Sequence, residues 1–271
     1  MSYPLSEHAS LNAYYQATIR SPLDALPADV YLPALPTRGF FSTLGAGWRW
    51  GKGTSYPLSV SPEVARGLAI AAELTPAVLG SWTYDDQGQK APFNQLQTTA
   101  EWREYVTNPL IPNHVLATKL SGGATFGDRF NYGSFRLGGS FSEGGITVVP
   151  SEWRMLRGFF PASDSGEWYW LGSLEYRFPL WNIDRGVGTL PLFARNVSGA
   201  VILDAGNAFD DADGVALGET LVGTGAELRF QAVLGYGYGI FARVGYAFAA
   251  HGDGIPLGDV NGLYAVLGSS F

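Results

Sequence analysis

The sequence predicts an all-β protein, an antiparallel transmembrane β-barrel. Apolar and polar residues alternate along most of the chain, which is the period of a strand with one apolar and one polar face. Most of the alternating segments have about 10 residues or more, whereas an ordinary strand has about 5–6 and a strand that crosses a bilayer needs about 9–11. Helical periodicity is nearly absent.

The alternation defines the strands in order along the chain. Between His8 and Ile19 every second residue is apolar, and most of the residues between them are polar. The pattern is sharpest in Trp168–Phe178 and Ile240–Phe248. It predicts about eleven strands, near residues 9–19, 40–50, 66–76, 94–106, 114–126, 131–141, 168–180, 190–206, 221–233, 238–249 and 262–271. A twelfth strand near Ala77–Tyr84 would make the number even.

The composition is poor in charge and rich in glycine and aromatic residues. Of the 271 residues, 36 are Gly and none is Cys; 15% are charged, 14% are aromatic, and the formal net charge is −7. A soluble domain has about 25% charged residues and about 7% Gly. The hydrophobic content excludes disorder, and the absence of Cys excludes disulfides and thiolate metal sites. The acidic balance, without a Lys/Arg run, argues against nucleic acid as a partner.

The residue types on the two sides of the strands favour a membrane barrel over a soluble sandwich. The polar side carries Gly, Ser, Thr and Gln with scattered charges, and the apolar side ends in Trp and Tyr. A soluble sandwich would carry many Lys and Glu on its polar side, whereas aromatic residues at strand ends form the two girdles of a membrane barrel. Lipid-exposed strands must also close into a barrel, alone or with further strands.

A series of short motifs lies in the second half of the chain. One is Leu156-Arg157-Gly158-Phe159, which lies in a connection (residues 142–167) that is too long for a hairpin turn. The others, in chain order, are Phe135-Arg136-Leu137-Gly138-Gly139, Gly172-Ser173-Leu174-Glu175-Tyr176-Arg177-Phe178-Pro179-Leu180, Ile202-Leu203-Asp204-Ala205-Gly206-Asn207-Ala208-Phe209, Gly223-Thr224-Gly225-Ala226-Glu227-Leu228-Arg229-Phe230 and Leu267-Gly268-Ser269-Ser270-Phe271.

In this order and spacing, the motifs resemble the carboxy-terminal barrel of the bacterial surface antigen family. That family belongs to the superfamily of outer-membrane assembly factors and two-partner-secretion transporters. The resemblance covers about residues 114–271. It implies that the connection 142–167 folds into the lumen with Leu156, Arg157, Gly158 and Phe159 at its tip. It also implies inward wall positions for Glu175, Arg177, Asp204, Gly206 and Arg229.

The residues themselves are compatible with that arrangement. Glu175 and Asp204 both lie on the polar side of their strands, so a lumenal Arg157 would have two carboxylates within reach. A charge-assisted, bidentate contact would hold the loop against the wall, and Gly158 would let the backbone turn sharply there. The alternative is that Arg157 is an ordinary exposed loop arginine.

The carboxy terminus has two interpretations under this resemblance. Leu267, Gly268 and Phe271 match the family's final strand, in which the terminal aromatic residue is a sorting signal. Phe271 could equally be a last girdle residue. Ser269 stands where the family more usually has a hydrophobic residue, which weakens the signal.

The resemblance implies an integral protein of the bacterial outer membrane that assists insertion or translocation of other proteins. Its expected partners are outer-membrane lipid, lipopolysaccharide and client polypeptides, together with other subunits or an amino-terminal periplasmic domain. No cofactor is implied. The family's barrel has sixteen strands, of which about eleven are predicted here. In the family it follows a signal peptide and usually periplasmic domains, and neither is recognisable in this sequence. We therefore expect residues 1–271 to be one barrel domain that is part of a longer protein, or else a complete smaller barrel of twelve strands.

The residue types and their spacing predict no catalytic or metal site. The three His residues are far apart, and Asp210–Gly214 resembles a calcium loop but lacks its final Glu. Glu175 and Asp204 could form an acid/base pair, but both match motif positions that hold the loop.

Two rival functions remain at this stage. One is a passive or substrate-selective pore, because the predicted lumen-facing residues carry charges of both signs. They are Glu73, Glu101, Arg103, Glu175, Arg177, Glu227, Arg229 and Arg243. The other rival is a soluble all-β binding protein.

Overall fold

The protein is all-β and antiparallel, as the alternation predicts. The computed structural model describes residues 2–21, 38–56, 59–85, 87–128, 134–139, 155–160, 162–186, 188–210, 219–235, 237–252 and 261–269. Within these residues there is no helix that is long and apolar enough to span a membrane.

Fifteen strands and one short 3-10 turn (Ala77–Leu79) make up the described fold. The strands are β1 (Ser2–Ser6), β2 (Ala9–Arg20), β3 (Gly39–Thr54), β4 (Val64–Thr75), β5 (Trp82–Tyr84), β6 (Lys90–Pro92), β7 (Gln95–Thr107), β8 (Val115–Gly127), β9 (Phe135–Leu137), β10 (Asp164–Gly166), β11 (Trp168–Gly186), β12 (Leu192–Phe209), β13 (Leu221–Leu234), β14 (Tyr238–His251) and β15 (Asn261–Ser269).

One large sheet contains all of these strands except β9 and β10. Its neighbours follow the order β1-β2-β3-β4-β7-β8-β11-β12-β13-β14-β15, and every neighbouring pair is antiparallel. The short strands β5 and β6 lie off this path, where β5 pairs with β3 and β6. Ten of the predicted strands coincide with strands of this path, and several, notably β3 and β11, extend beyond the predicted ends.

Two predicted strands are wrong. The strand expected over residues 131–141 is only the three residues of β9, which pairs with β10 in a separate two-stranded sheet, while β8 pairs directly with β11. Phe135 and Leu137 do alternate with a less buried residue, but they pack inside the fold rather than forming part of its wall. The possible twelfth strand near Ala77–Tyr84 is the 3-10 turn followed by the three residues of β5.

The large sheet has an apolar exposed face and a polar buried face. Leu174, Leu203 and Leu228 lie on the exposed face, in the middle of their strands. Their sequence neighbours Glu175 and Asp204 point to the opposite face and are buried. This distribution is the inverse of that in a soluble sheet, where the apolar face packs on the core.

The sheet curls so strongly that distant strands come into contact. The side-chain Nε2 of Gln231 on β13 donates a hydrogen bond of 3.1 Å to the carbonyl oxygen of Val60, which lies between β3 and β4. In sheet order β13 is five strands beyond β4, and neighbouring strands are about 4.8 Å apart. A flat sheet could not make this contact. Among the described residues β1 and β15 do not pair with each other, so the sheet is not closed.

The connections differ in length at the two ends of the curled sheet. At one end, the short-turn end, they are residues 7–8, 55–63, 108–114, 187–191 and 235–237. At the other, the long-loop end, they are residues 21–38, 76–94, 128–167, 210–220 and 252–260. The longest of these contains β9, β10 and the described residues 155–160.

Described residues of that longest connection pack in the interior of the curl. Leu156 and Phe159 are fully buried and pack in one apolar cluster with β9 and the inward residues of β11 and β12. Part of the core is therefore made by a loop that packs inside the sheet.

Candidate functional site

The segment 155–160 is held inside the sheet by backbone contacts with Gly138 and Gly139, the two residues after β9. The backbone N–H of Leu156 donates to the carbonyl oxygen of Gly138 at 2.9 Å, and the N–H of Gly139 donates to that of Phe159 at 2.8 Å. The buried side chains of Leu156 and Phe159 secure the same segment through the apolar cluster. Arg157, between them in sequence, is directed toward the sheet wall.

Two glycines allow this segment to approach the wall closely. Gly158 has a φ of +95°, and a Cβ there would lie 2.6 Å from the carbonyl carbon and oxygen of Phe248. A Cβ on Gly223, in β13, would lie 1.8 Å from the carbonyl oxygen of Arg157. Both positions therefore exclude any side chain, because real Cβ atoms do not approach other atoms within 3.0 Å.

Arg157 uses every donor of its guanidinium group. Nε donates to Asp204 Oδ2 at 2.6 Å, and Nη2 donates to Asp204 Oδ1 at 2.7 Å, which is a bidentate pair. Nη1 donates to Glu175 Oε1 at 2.7 Å and to Glu227 Oε1 at 2.9 Å, and Nη2 also donates to Ser173 Oγ at 2.8 Å. These are five contacts for five N–H groups, a pattern that the three donors of Lys could not reproduce.

The three carboxylates come from three adjacent strands. Glu175 lies on β11, Asp204 on β12 and Glu227 on β13, all on the buried face. The register places Asp204 directly between Ser173 on β11 and Gly223 on β13. Ser173 Oγ donates to Asp204 Oδ1 at 2.5 Å, so the strand neighbour also supports the carboxylate that binds Arg157.

Two further arginines complete the cluster. Arg177 donates to Glu175 Oε2 at 2.6 Å, and Arg229 donates to the Oε2 atoms of Glu175 and Glu227 at 2.7 and 2.6 Å. Tyr264 on β15 donates to Glu227 Oε1. The three guanidinium groups balance the three carboxylates, and every carboxylate oxygen accepts at least one hydrogen bond. We call these residues the Arg157 site: Arg157, Ser173, Glu175, Arg177, Asp204, Glu227, Arg229 and Tyr264.

The surroundings of Arg157 keep it charged. Burial disfavours the charged form, but the carboxylates of Asp204, Glu175 and Glu227 outweigh burial and raise the pKa of Arg157 well above its ordinary value. An uncompensated buried charge would be strongly destabilising, whereas a fully hydrogen-bonded one can be tolerated. The site can therefore hold a loop in place, and its carboxylates are all engaged in doing so.

The structure brings together most of the residues predicted from the sequence. Arg157 contacts Glu175 and Asp204, and Arg177 and Arg229 lie in the same cluster. Gly206 also faces inward, where a Cβ would be 2.8 Å from the carbonyl oxygen of Trp170.

The predicted carboxy-terminal residues do not join this site. Leu267 is exposed, and Gly268 pairs with Phe241 in the β14–β15 ladder. Phe271 lies outside the described residues.

The sequence does not predict three of the partners of Arg157 and Glu227 as members of the site. It predicts that Glu227 faces the lumen but not that it binds Arg157, although Glu227 lies two residues from Arg229 on the same face. Ser173 and Tyr264 carry no pattern of their own in the sequence. Their contribution depends on strand register, which the sequence does not specify.

No protein-family model matches this chain, and no curated protein matches it. The resemblance to the surface antigen family therefore rests on the sequence motifs alone.

Gly223→Ala should displace the segment that carries Arg157, because the new Cβ would overlap the carbonyl oxygen of Arg157. We expect trypsin to cleave after Arg157 at least about tenfold faster in this variant than in the unaltered protein, a shift of about 1.4 kcal/mol in local opening. Mass spectrometry would identify the cut.

Gly186→Ala is the matched control, because a Cβ there meets nothing within 4 Å. It should leave cleavage unchanged. Equal protection of Arg157 in Gly223→Ala and in the control would contradict the observed packing.

Proposed function

We propose that the protein is an integral outer-membrane β-barrel that assists the insertion or translocation of other proteins. The exposed apolar face of the sheet, with buried charge on the opposite face, is the observation that carries the membrane assignment. Monomeric soluble proteins rarely expose contiguous apolar patches of more than a few hundred Å². Outer-membrane lipid and lipopolysaccharide would cover this face.

The spacing of aromatic residues on β11 supports the membrane assignment. Trp168 packs edge-on against Phe126 at 5.3 Å near the long-loop end, and Phe178 stacks on His114 at 5.9 Å near the short-turn end. Phe178 follows Trp168 by 10 residues, or about 33 Å along a strand. At a tilt of about 45° the two levels are about 23 Å apart, close to the roughly 25 Å apolar band of an outer-membrane barrel.

The lengths of the connections support the same assignment. Outer-membrane barrels have short periplasmic turns and longer extracellular loops. By this rule the short-turn end would face the periplasm, and the connection that carries Arg157 would enter the lumen from the extracellular side.

A strand edge with one partner supports a role in protein insertion. From Tyr15 to Ile19, β2 pairs with β3, whereas β1 pairs only with residues 9–12 on the other side of β2. Among the described residues, this stretch has a strand partner on one side only. A strand edge in lipid must be paired, so another strand has to add there. A client strand could do so by β-augmentation, in which main-chain hydrogen bonds supply the affinity.

The Arg157 site links the lumenal loop to the other edge of the sheet. Tyr264 lies on β15 and donates to Glu227, which in turn accepts from Arg157. A change in the pairing of β15 would therefore alter the hydrogen bonds that hold the loop. In the proposed mechanism this contact holds the barrel wall in shape while a client strand adds at the edge.

A passive or selective pore is the second candidate. A cavity of about 40 Å³ lies beside Arg157, and Arg103, Lys119, Arg177 and Arg243 contribute to its lining. This charged lining would suit a solute path if the lumen opened further.

Leu203→Arg separates the membrane proposal from a soluble binding protein. Leu203 is 45% exposed and lies opposite Leu174, midway between the two aromatic levels. In lipid vesicles we expect this variant to lower the free energy of unfolding by about 2–4 kcal/mol, because a cation would lie near the bilayer midplane. Urea unfolding followed by Trp fluorescence would measure it.

Leu180→Arg is the control at the interface level, since Leu180 is also exposed but lies beyond Phe178. It should cost about 0–1 kcal/mol. A soluble protein would tolerate both changes within about 0.5 kcal/mol, and that result would exclude the membrane assignment.

Cross-linking to a client tests the insertion role. Ala17→Cys places a thiol in the stretch of β2 that has one described partner, and the chain has no other Cys. An unfolded outer-membrane protein with one Cys in an amphipathic strand should cross-link to it during assembly in vesicles. Val201→Cys, which lies in β12 with strands on both sides, should not react. Equal cross-linking at both positions, or none at either, would refute the role.

A further inference from the structure

The connection between β3 and β4 is unlike the others at the short-turn end. Connections are normally exposed, and the apolar tips Leu110 (87% exposed) and Leu190 (61%) follow that rule. Val60, in contrast, is only 3% exposed, and its neighbours Ser59 and Ser61 are also buried. We call Ser59–Ser61 the Val60 turn.

The Val60 turn is directed into the interior of the curled sheet. Its contact is Gln231, which lies on the same face of β13 as the buried Glu227 and Arg229. On the near side, Thr107 Oγ1 at the end of β7 donates to the carbonyl oxygen of Glu63 at 2.8 Å. The connection is therefore held at β7 and reaches β13, four strands further along the sheet path. It crosses the mouth of the interior.

Internal hydrogen bonds give the Val60 turn a defined shape. Tyr56 N–H donates to Ser59 Oγ at 2.9 Å, and Ser59 Oγ donates to Glu63 Oε1 at 2.7 Å. Ser59 N–H also donates to the carbonyl oxygen of Tyr56 at 3.0 Å. These contacts satisfy polar groups that burial would otherwise leave unpaired.

We propose that the Val60 turn is a second plug, which closes the lumen at the short-turn end and is held there by the Gln231–Val60 hydrogen bond. The segment around Arg157 enters the lumen from the long-loop end, so the two plugs would contact the same face of β13 from opposite ends of the lumen. Gln231 and Arg229 are two residues apart on that strand. Closure of the lumen rests on the proposed membrane barrel, whereas the burial of the Val60 turn inside the curled sheet does not.

Thiol labelling tests the seating of the turn. Because the chain has no Cys, Val60→Cys and Tyr56→Cys each carry a single thiol in the same connection, one buried and one 57% exposed. In detergent we expect a membrane-impermeant maleimide to label Val60→Cys at least about tenfold more slowly, as a closed turn with an opening cost of about 1.4 kcal/mol requires. Equal rates would overturn the proposal.

A second variant tests the hydrogen bond that holds the turn. Gln231→Met keeps the shape of the side chain but cannot donate. Loss of one hydrogen bond should speed labelling of Val60→Cys roughly two- to tenfold and leave that of Tyr56→Cys unchanged. An unaltered rate at Val60→Cys would show that Gln231 does not hold the turn.

Conductance in planar bilayers tests closure. In the Gly223→Ala variant, in which the segment around Arg157 is displaced, replacement of Ser59–Ser61 by three glycines should raise the conductance, whereas the same replacement of Leu110–Pro112, an exposed turn at the same end, should not. Unchanged conductance in the first variant would overturn the plug. Failure of every form, including the unaltered protein, to insert into a bilayer would instead refute the membrane barrel. The labelling experiment would still test the burial of the Val60 turn independently.

Discussion

A buried guanidinium group determines much of the structure. Arg157 can lie inside the sheet only if carboxylates neutralise it and all of its donors are paired, because the cost of an isolated buried charge is many kcal/mol. That requirement fixes the relative register of β11, β12 and β13, since Glu175, Asp204 and Glu227 must converge on one group. It also requires glycine at position 223, where the backbone of Arg157 touches the wall. The loop, the register and the glycine therefore depend on the same contact.

The position of this charge explains why the sheet is apolar outside and polar inside. A buried loop with a charged tip needs a polar wall, and the alternate residues of the same strands then face outward. Those outward residues are Leu, Val and aromatic side chains, which suit lipid and would be unfavourable in water. One alternation thus provides both the charge cluster and the face that we propose to lie in the membrane.

The sequence predicts the wall better than the interior. Strand parity correctly places Glu175 and Asp204 on the inner face, because a period of two needs no long-range information. It fails at residues 131–141, because an inner strand such as β9 alternates in the same way as a wall strand. Tyr264 and Ser173 could not be predicted as members of the site, since their contacts depend on the register and the curl of the sheet. The burial of Val60 could not be predicted for the same reason. Nothing in the sequence of a short connection indicates that it will contact a strand far away in the chain.

A double-mutant cycle between Arg157 and Asp204 tests the central claim most directly. The unfolding free energies of Arg157→Ala, Asp204→Ala and the double variant would be compared with those of the same cycle at Arg66 and Glu104, an exposed pair with a contact of 2.5 Å. Because the first pair is buried and bidentate, we expect a coupling of about 2 kcal/mol or more, against about 0.2–1 kcal/mol for the exposed pair. A coupling between Arg157 and Asp204 below about 0.5 kcal/mol would contradict the account.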